Sequence, residues 1–310
     1  MAREPTLVSV AAPMHDEEGT IEAFHARVSA ALEPVRFELV IVNDGSRDGT
    51  AAQLADLADA DERVKVVTLS RSFGHQAALT AALEHASGDV VVMLDGDLQD
   101  PPEVIPEMLD RWRDGADVVY AVRSERRGET AFKRTTASWF YRLFRSLADI
   151  DLTPDSGDFR LMDRRPLDAL LAMPERNRFL RGMSVWVGYT QTAVTFEREA
   201  RTAGRTKYSL RRMLRFSFDA ITSFSHRPLQ FATLLGFAFS ALAFLAIPLT
   251  VVARYTNIYD RGVPSAIVII LLLGGLQLIC VGIIGEYVGR IYDEVKHRPL
   301  YVVRDKTNLE

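Results

Sequence analysis

The sequence predicts an α/β domain with a mostly parallel sheet, followed by two helices that cross a membrane. Up to about Ser225, charged and apolar residues are mixed as in a globular domain, whereas two later stretches carry almost no charge. Within the first part, short β-rich runs alternate with helical ones. That alternation is typical of a parallel sheet covered by helices on both faces.

Runs rich in β-branched residues predict the strands, and the intervening segments predict the helices. The predicted strands are Leu7–Ala12, Phe37–Asn43, Val64–Leu69, Val90–Leu94 and Val118–Val122. The predicted helices are Glu18–Glu33, Thr50–Ala60, Gln76–Ala86 and Glu103–Asp114.

The two predicted membrane helices are Leu229–Ala253 and Pro264–Gly285, and each exceeds the ~20 residues that cross a bilayer core. Basic residues precede the first and follow the second, while the short link between them carries only Arg254 and Arg261. This charge bias, with no signal-peptide pattern at the start, places both ends in the cytoplasm. We therefore expect an integral protein of the cytoplasmic (inner) membrane, with its large domain in the cytoplasm.

These patterns divide the chain of 310 residues into four parts. They are a globular domain at 1–205, a juxtamembrane amphipathic helix at 206–227, membrane helices at about 229–253 and 264–287 within 228–289, and a cytoplasmic tail at 290–310. The single cysteine, Cys280, forms no internal disulfide. The net charge of −4 gives no reason to expect nucleic acid as a partner.

Two further segments combine aromatic and basic residues at helical spacing, Thr130–Ile150 and Lys207–Phe224. Such helices suit a membrane interface. The alternative is that they are ordinary surface helices that pack on the core.

Polar loops follow the first four predicted strands, with the sequences "PMHDEEG", "NDGSRDGT", "SRSFGHQ" and "DGDLQDPPE". Any one of them alone could be an ordinary turn. Together they lie at strand carboxyl ends, the edge at which open α/β sheets bind ligands. His75, in "FGHQ", either lines this edge or packs there, and we assign no function to the other histidines.

The fourth loop places Asp95, Asp97 and Gln99 directly after a buried strand. Their oxygens are the hard ligands that Mg²⁺ and Mn²⁺ prefer, and these ions commonly bridge to substrate phosphates. The chain has no phosphate-binding P-loop, dinucleotide fingerprint, nucleophile elbow or zinc-protease motif. These exclusions leave a diphosphate ligand held by a metal ion and acidic loops, and a sugar nucleotide is such a ligand. We expect Asp100 and Glu103 to begin the next helix instead, where acidic residues suit the helix dipole.

Six ordered motifs carry a resemblance to a known family: "NDGSRDGT", "GHQAALTAALEHASGD", "LDGDLQDPPE", "SGDFRLMDR", "RFLRGM" and "RTAGRTKYSL". With the two membrane helices, they make nearly the whole chain resemble the family 2 glycosyltransferases of GT-A fold. The most similar group is the polyprenyl-phosphate glycosyltransferases, which includes dolichol-phosphate mannose synthases and bactoprenol glucosyltransferases.

On the donor side, the resemblance implies roles for six residues. Pro13 and Glu17 would line the nucleotide pocket, and Asp44 would contact the base or ribose. Asp95 would contact the nucleotide sugar and, with Asp97 and Gln99, hold Mg²⁺ or Mn²⁺. Where the family usually has Asn-Glu-Glu, this chain has Asp16-Glu17-Glu18, which leaves the role of Asp16 open.

On the acceptor side, Asp158 in "GDFRL" matches a position proposed as the catalytic base or as an acceptor-side carboxylate. Arg123, Arg134 and Ser138 match the group that receives the lipid phosphate. Arg201 and Lys207 match a loop that closes over the diphosphate.

The resemblance implies inverting transfer of a hexose, glucose in first place, from a UDP-sugar to polyprenyl phosphate. GDP-mannose is the second donor to consider, and Gly-rich spans would allow homo-oligomers. Two other classes stay open. A processive polysaccharide synthase would normally carry Q-x-x-R-W and more membrane helices, whereas this chain reads "RNRFLRGMSVW". A membrane-anchored sugar-nucleotide sensor would not need both donor and acceptor residues.

Overall fold

A computed structural model describes residues 3–123, 156–196, 227–255 and 263–309 of the chain. The described residues form two units: an α/β unit, which includes the last strand of the chain, and a unit of two long helices.

The α/β unit is built on one eight-stranded sheet. Its strands are β1 (Val8–Met14), β2 (Phe37–Asn43), β3 (Val64–Leu69), β4 (Val90–Met93), β5 (Val118–Arg123), β6 (Ser156–Asp163), β7 (Gln191–Phe196) and β8 (Val303–Thr307). In space they follow the order β7-β5-β6-β4-β1-β2-β3-β8. Strand β6 runs antiparallel to β4 and β5, β8 runs antiparallel to β3, and the other neighbours are parallel. The predicted mostly parallel α/β sheet is confirmed.

The described part of this unit contains six α-helices: α1 (Ile21–Ala31), α2 (Thr50–Ala60), α3 (His75–His85), α4 (Ile105–Arg113), α5 (Arg164–Leu171) and α6 (Leu180–Trp186). The first four lie where the sequence predicts helices, although α1 and α4 begin later. The backbone before α1 turns at Asp16, whose φ of 56° is left-handed. A short 3₁₀ helix, Pro102–Val104, precedes α4.

The core lies on both faces of the central strands. Every residue of β1, β2 and β4 is buried, which explains their continuous apolar runs. Phe24, Trp112 and Phe159 from the surrounding elements complete the core. Each such side chain contributes on the order of 1.5–3 kcal/mol when it is fully buried.

Strand β6 places a second polar segment at the ligand edge. Met93, the last residue of β4, pairs with Arg160 of the antiparallel β6. Asp158 comes two residues before Arg160, so it lies just beyond the end of β4, beside the loop that begins with Asp95.

Strand β8 covers the open edge of β3, which would otherwise expose unpaired backbone groups. Nδ2 of Asn308 donates hydrogen bonds to the carbonyls of Ala58 and Val64, at 2.7 and 2.9 Å. The hydroxyl of Tyr301 donates to Glu84 on α3. The segment that the sequence presents as a cytoplasmic tail therefore contributes a strand to the sheet.

The helical unit consists of α7 (Arg227–Tyr255) and α8 (Val263–Val295). Among the described residues, one segment, Leu272–Val295, is long and apolar enough to cross a membrane. The apolar stretch found in α7, Leu229–Leu242, is shorter. The prediction of two crossing helices is therefore not confirmed. Nearly all of the predicted juxtamembrane helix at 206–227, and all of Thr130–Ile150, lie outside the described residues.

A buried ionic cluster joins β1, β2 and β3 away from the ligand edge. The carboxylate of Glu38, which is 3% exposed, contacts Nζ of Lys65 at 2.5 Å. It also accepts hydrogen bonds from Ser9 Oγ and from the backbone nitrogen of Ser87. Burial alone would raise the pKa of Glu38, but these donors outweigh burial and hold the pKa below its ordinary value of 4.5.

We predict that Glu38→Gln destabilises the protein in a pH-dependent manner. Because the pKa of Glu38 is lower in the folded state, its ionised form stabilises the fold above pH 4.5, and this stabilisation is lost as the pH falls through the folded value. At pH 7 the substitution should lower the free energy of unfolding by about 1–3 kcal/mol.

Thermal unfolding of the full chain in detergent, across a pH series, measures this effect. The difference in Tm between the two proteins should narrow below pH 4.5. Glu33→Gln, at an exposed position, should leave Tm unchanged throughout. A Tm difference that stays constant down to the lowest pH at which the protein folds would contradict the assignment.

Candidate active site

The loops after β1 and β2 are joined by hydrogen bonds at the ligand edge. The backbone nitrogen of Asp16 donates to Ser46 Oγ at 3.1 Å, and the Asp16 carboxylate accepts from the backbone nitrogen of Arg47 at 2.8 Å. The nitrogen of Glu17 donates to Thr50 Oγ1 at 2.9 Å. Asp16 therefore links the two loops, and aspartate tolerates the left-handed backbone that this requires.

Asp44 organises the loop that precedes α3. Its side chain is almost fully buried, and Oδ1 accepts from the nitrogen of Phe73 at 2.7 Å. Oδ2 accepts from the hydroxyl of Ser72 at 2.8 Å and from the nitrogen of Gly74 at 3.0 Å. The neighbouring Gly45 has a φ of 63°, and an added Cβ would lie 2.5 Å from the backbone carbon of Arg71. Asp44 thus already uses both oxygens to hold this loop against β2.

Pro13 and Glu17 lie beside the turn that carries Asp95 and Asp97. Pro13 is buried in β1 and pairs with Val42. Oε2 of Glu17 accepts from the hydroxyl of Thr20 at 3.3 Å, and the same hydroxyl lies 3.2 Å from the carbonyl oxygen of Gly96. Thr20 therefore connects the β1 loop to the aspartate turn.

Within that turn, Gln99 orients Asp97. Nε2 of Gln99 donates to Oδ2 of Asp97 at 2.5 Å, and the backbone nitrogen of Gln99 donates to Oδ1 at 3.1 Å. Because its amide nitrogen donates to the carboxylate, Gln99 helps to fix the orientation of the Asp97 side chain.

Asp95 lies among other carboxylates. Its Oδ1 atom is buried and accepts no hydrogen bond within the described residues, although Nε2 of His75 lies 3.5 Å away. Removal from water raises the pKa of Asp95 to about 7; the charge of His75 lowers it, and those of Asp158, Asp100 and Asp97 raise it. A carboxylate in this position favours a bound cation.

Asp158 faces this turn from β6 and is surrounded by donors. Its Oδ2 lies 3.3 Å from Nε2 of His75 and accepts from Nε2 of Gln76 at 3.0 Å. Its Oδ1 lies 3.6 Å from Nε of Arg181. Burial alone would raise the pKa of Asp158, but His75, Arg181 and Arg160 hold it well below its usual range. Asp158 is therefore ionised at neutral pH and is a weak base.

His75 lies between the two aspartates, and the sequence left its role open. Partial removal from water lowers its pKa, but the hydrogen bond with Asp158 and the charge of Asp95 raise it to about 9. Its place at the end of the third polar loop was the only signal in the sequence. Sequence reasoning gave no role to Arg181, whose guanidinium faces Asp158 from α6, although "RFLRGM" contains it.

The expectation that Asp100 begins a helix is wrong. It is 2% exposed, and its Oδ1 lies 3.6 Å from Nη2 of Arg123 at the end of β5. The extended backbone of Pro101, with φ −74° and ψ 123°, separates Asp100 from the 3₁₀ helix that follows. Glu103 does lie in that helix, where it forms an ion pair of 2.7 Å with Arg27.

Several residues of the expected site cannot be placed in this geometry. Arg134, Ser138, Arg201 and Lys207 lie outside the described residues. Among the side chains that the structure does describe, no group of three or more His, Cys, Asp or Glu is arranged to hold a metal ion.

The sequence matches the family model described as "Glycosyl transferase family 2" over residues 9–171, which run from the second residue of β1 to the end of α5 and include both aspartate segments. The chain belongs to glycosyl transferase family 2. This confirms the resemblance seen in the motifs, and the mostly parallel sheet is consistent with the GT-A fold.

Relatives that match this family 2 glycosyltransferase over nearly its full length include the following two. The uncharacterized glycosyltransferase YkcC of Bacillus subtilis is 46% identical over 97% of this chain and 94% of its own. The bactoprenol glucosyl transferase of Shigella phage SfV is 40% identical over 96% of this chain and 98% of its own.

A solved structure supports the fold alone. The mannosyl-3-phosphoglycerate synthase of Rubrobacter xylanophilus matches with a TM-score of 0.50 and 19% sequence identity. The match covers 73% of this family 2 chain and 74% of that one.

We predict that Asp44→Asn destabilises the family 2 domain and weakens nucleotide binding. An amide keeps the volume of Asp44 but has one acceptor oxygen, so at least one buried donor of the 72–74 loop loses its partner. The expected cost is about 1–3 kcal/mol. Thermal unfolding and UDP titration of the full chain measure the two effects. Asp59→Asn, on the exposed surface, is the control, and a variant with unchanged Tm would show that the loop does not depend on Asp44.

Proposed function

We propose that this protein transfers a hexose, with glucose as the first candidate, from a nucleotide sugar to polyprenyl phosphate at the cytoplasmic face of the membrane. The products are a polyprenyl-phosphate sugar and a nucleoside diphosphate. One observation carries the proposal. The Asp95–Asp97 turn and Asp158 face each other across one end of the sheet, in a chain 40% identical to a bactoprenol glucosyl transferase over almost its full length.

On the donor side, Asp95 and Asp97 would hold Mg²⁺ or Mn²⁺, with the side-chain oxygen of Gln99 as the third candidate ligand. The buried Oδ1 atom of Asp95, which accepts no hydrogen bond among the described residues, and the raised pKa of that carboxyl fit such an ion. When bound, the ion would neutralise charge on the departing diphosphate. Gln99 would keep Asp97 oriented, while Pro13, Glu17 and Asp44 would shape the nucleotide pocket. We assign Arg201 and Lys207 to closure over the diphosphate.

On the acceptor side, Arg123 would bind the lipid phosphate together with Arg134 and Ser138. Arginine suits this task because its guanidinium forms paired, charge-assisted bonds with phosphate. Arg123 already borders the buried carboxylate of Asp100, which would hold the guanidinium at the end of β5.

The reaction needs little help from a general base. A phosphate monoester has a second pKa near ~6, so the acceptor is mostly a dianion before it binds. One of its oxygens would form the new bond to the anomeric carbon as the bond to the nucleoside diphosphate breaks, which inverts the configuration. Asp158 has a depressed pKa and is better suited to hold Arg181 and His75 in place than to accept a proton.

We also propose that both α7 and α8 cross the membrane. The segment Leu272–Val295 supports this for α8. For α7 the support is the apolar sequence Leu229–Ala253. Anchoring by these helices would keep the catalytic domain close to its lipid substrate. Self-association of the Gly-containing helices would give homo-oligomers.

The first test is transfer of labelled sugar to a short polyprenyl phosphate by the purified full chain. We expect UDP-glucose to give labelled lipid and UDP with Mg²⁺ or Mn²⁺, and chelation by EDTA to stop the reaction. GDP-mannose tests the second donor. Tight nucleotide binding without transfer from any donor would favour a membrane-anchored sensor, and a growing sugar chain would favour a processive synthase.

A second prediction separates the two carboxylate roles. Asp97→Ala removes charge that the donor needs, and we expect kcat to fall by roughly 100- to 1000-fold. Asp158→Asn keeps the shape of a side chain that need not accept a proton, and we expect a loss of about tenfold, or about 1.4 kcal/mol. Asp168→Asn, an exposed site on α5, should have no effect. Equal losses of kcat in the first two variants would refute this division of roles.

A further inference from the structure

Gln76, the second residue of α3, connects three elements at the ligand edge. Its Oε1 accepts a hydrogen bond from the backbone nitrogen of Leu180, the first residue of α6, at 2.9 Å. Its Nε2 donates to Oδ2 of Asp158 on β6 at 3.0 Å. Both polar atoms of this partly buried side chain are therefore engaged.

The two partners also fix the orientation of the amide. The nitrogen of Leu180 only donates, so the oxygen of Gln76 must face it. An ionised carboxylate only accepts, so the amide nitrogen of Gln76 must face Asp158. A reversed amide would place its nitrogen against the donor nitrogen of Leu180 and its oxygen against the acceptor oxygen of Asp158.

The hydrogen bond from Leu180 also connects Gln76 to the helix that carries Arg181. Arg181 follows Leu180 in α6, and its Nε lies 3.6 Å from Oδ1 of Asp158. One oxygen of Asp158 is therefore held by Gln76 and the other faces Arg181, whose helix is itself bonded to Gln76.

We propose that Gln76 is a positioning residue that holds Asp158 and the start of α6 together at the acceptor side of the site. The inference rests on the proposed function, because it gives Gln76 a part in the same reaction. Gln76 acts through Asp158 and Arg181. Its loss should therefore impair use of the lipid phosphate and leave nucleotide binding unchanged.

Two substitutions divide the two hydrogen bonds. Gln76→Glu keeps an oxygen that accepts from Leu180 but places a carboxylate beside Asp158. Gln76→Met keeps the length of the side chain and removes both bonds. We expect each to lower kcat/KM for polyprenyl phosphate by about 100-fold, the scale of a misplaced site. The Kd for UDP should stay within about twofold.

A double variant provides a rescue that a merely structural role would not show. In Gln76→Glu with Asp158→Asn, the new amide at 158 donates to the new carboxylate at 76, and the bond returns with its polarity reversed. We expect this double variant to regain the activity of Asp158→Asn alone. Asp168→Asn, at an exposed position on α5, is the control. It should leave kcat/KM unchanged.

Hydrogen exchange tests the same link without turnover. Gln76→Met should speed exchange of the Leu180 amide, and Gln76→Glu should not. If the unsubstituted protein transfers no sugar, the proposed function fails, while exchange at Leu180 still decides whether Gln76 holds α6. Unchanged exchange in Gln76→Met, or a double variant no more active than Gln76→Glu, would overturn the inference.

Discussion

The constraint on which this site depends is the repulsion among carboxylates gathered at the ends of β4 and β6. The protein offsets this repulsion more strongly at Asp158 than at Asp95. His75, Gln76 and Arg181 surround Asp158 and keep it ionised. Asp95 has His75 3.5 Å away, but removal from water and the charges of Asp158, Asp100 and Asp97 raise its pKa to about 7. Opposite pKa shifts in one cleft assign different tasks to two identical groups. The charge of Asp158 is offset by the protein itself, whereas Asp95 is the carboxylate at which we propose a bound cation.

Asp158 lies beside the Asp95 turn because β6 runs antiparallel between β4 and β5. The sequence analysis does not predict this strand. Periodicity identifies β1 to β5 because these strands are apolar and alternate with helices. By contrast, "SGDFRLMD" contains Arg160, which reads as a surface residue but is 2% exposed, with a guanidinium bonded to the carbonyl of Gly157. Strand β8, "VRDKT", is polar because it lies at the sheet edge, so its sequence resembles a tail.

The sequence identified the acidic residues of the site but not their partners. Asp95, Asp97 and Asp158 stand out through their position after strands and through the family motifs. The contacts of Asp158 with His75 and Gln76, in contrast, join residues 83 and 82 positions apart. Such pairs are created by the sheet topology, and no local spacing announces them. The prediction that Asp100 begins a helix is wrong for a related reason, because Arg123 comes close to Asp100 only in the folded sheet.

The distribution of charge also indicates what kind of problem this enzyme solves. Its proposed substrates are both anionic, and the acceptor is already ionised, so proton removal is not the main barrier. The protein must bring two anions together beside its own carboxylates. Pairing with cations reduces that repulsion, and Asp100 pairs with Arg123 while Asp158 pairs with Arg181 and His75. On this account the buried acids of the site serve chiefly to fix positive charge where phosphate groups must approach.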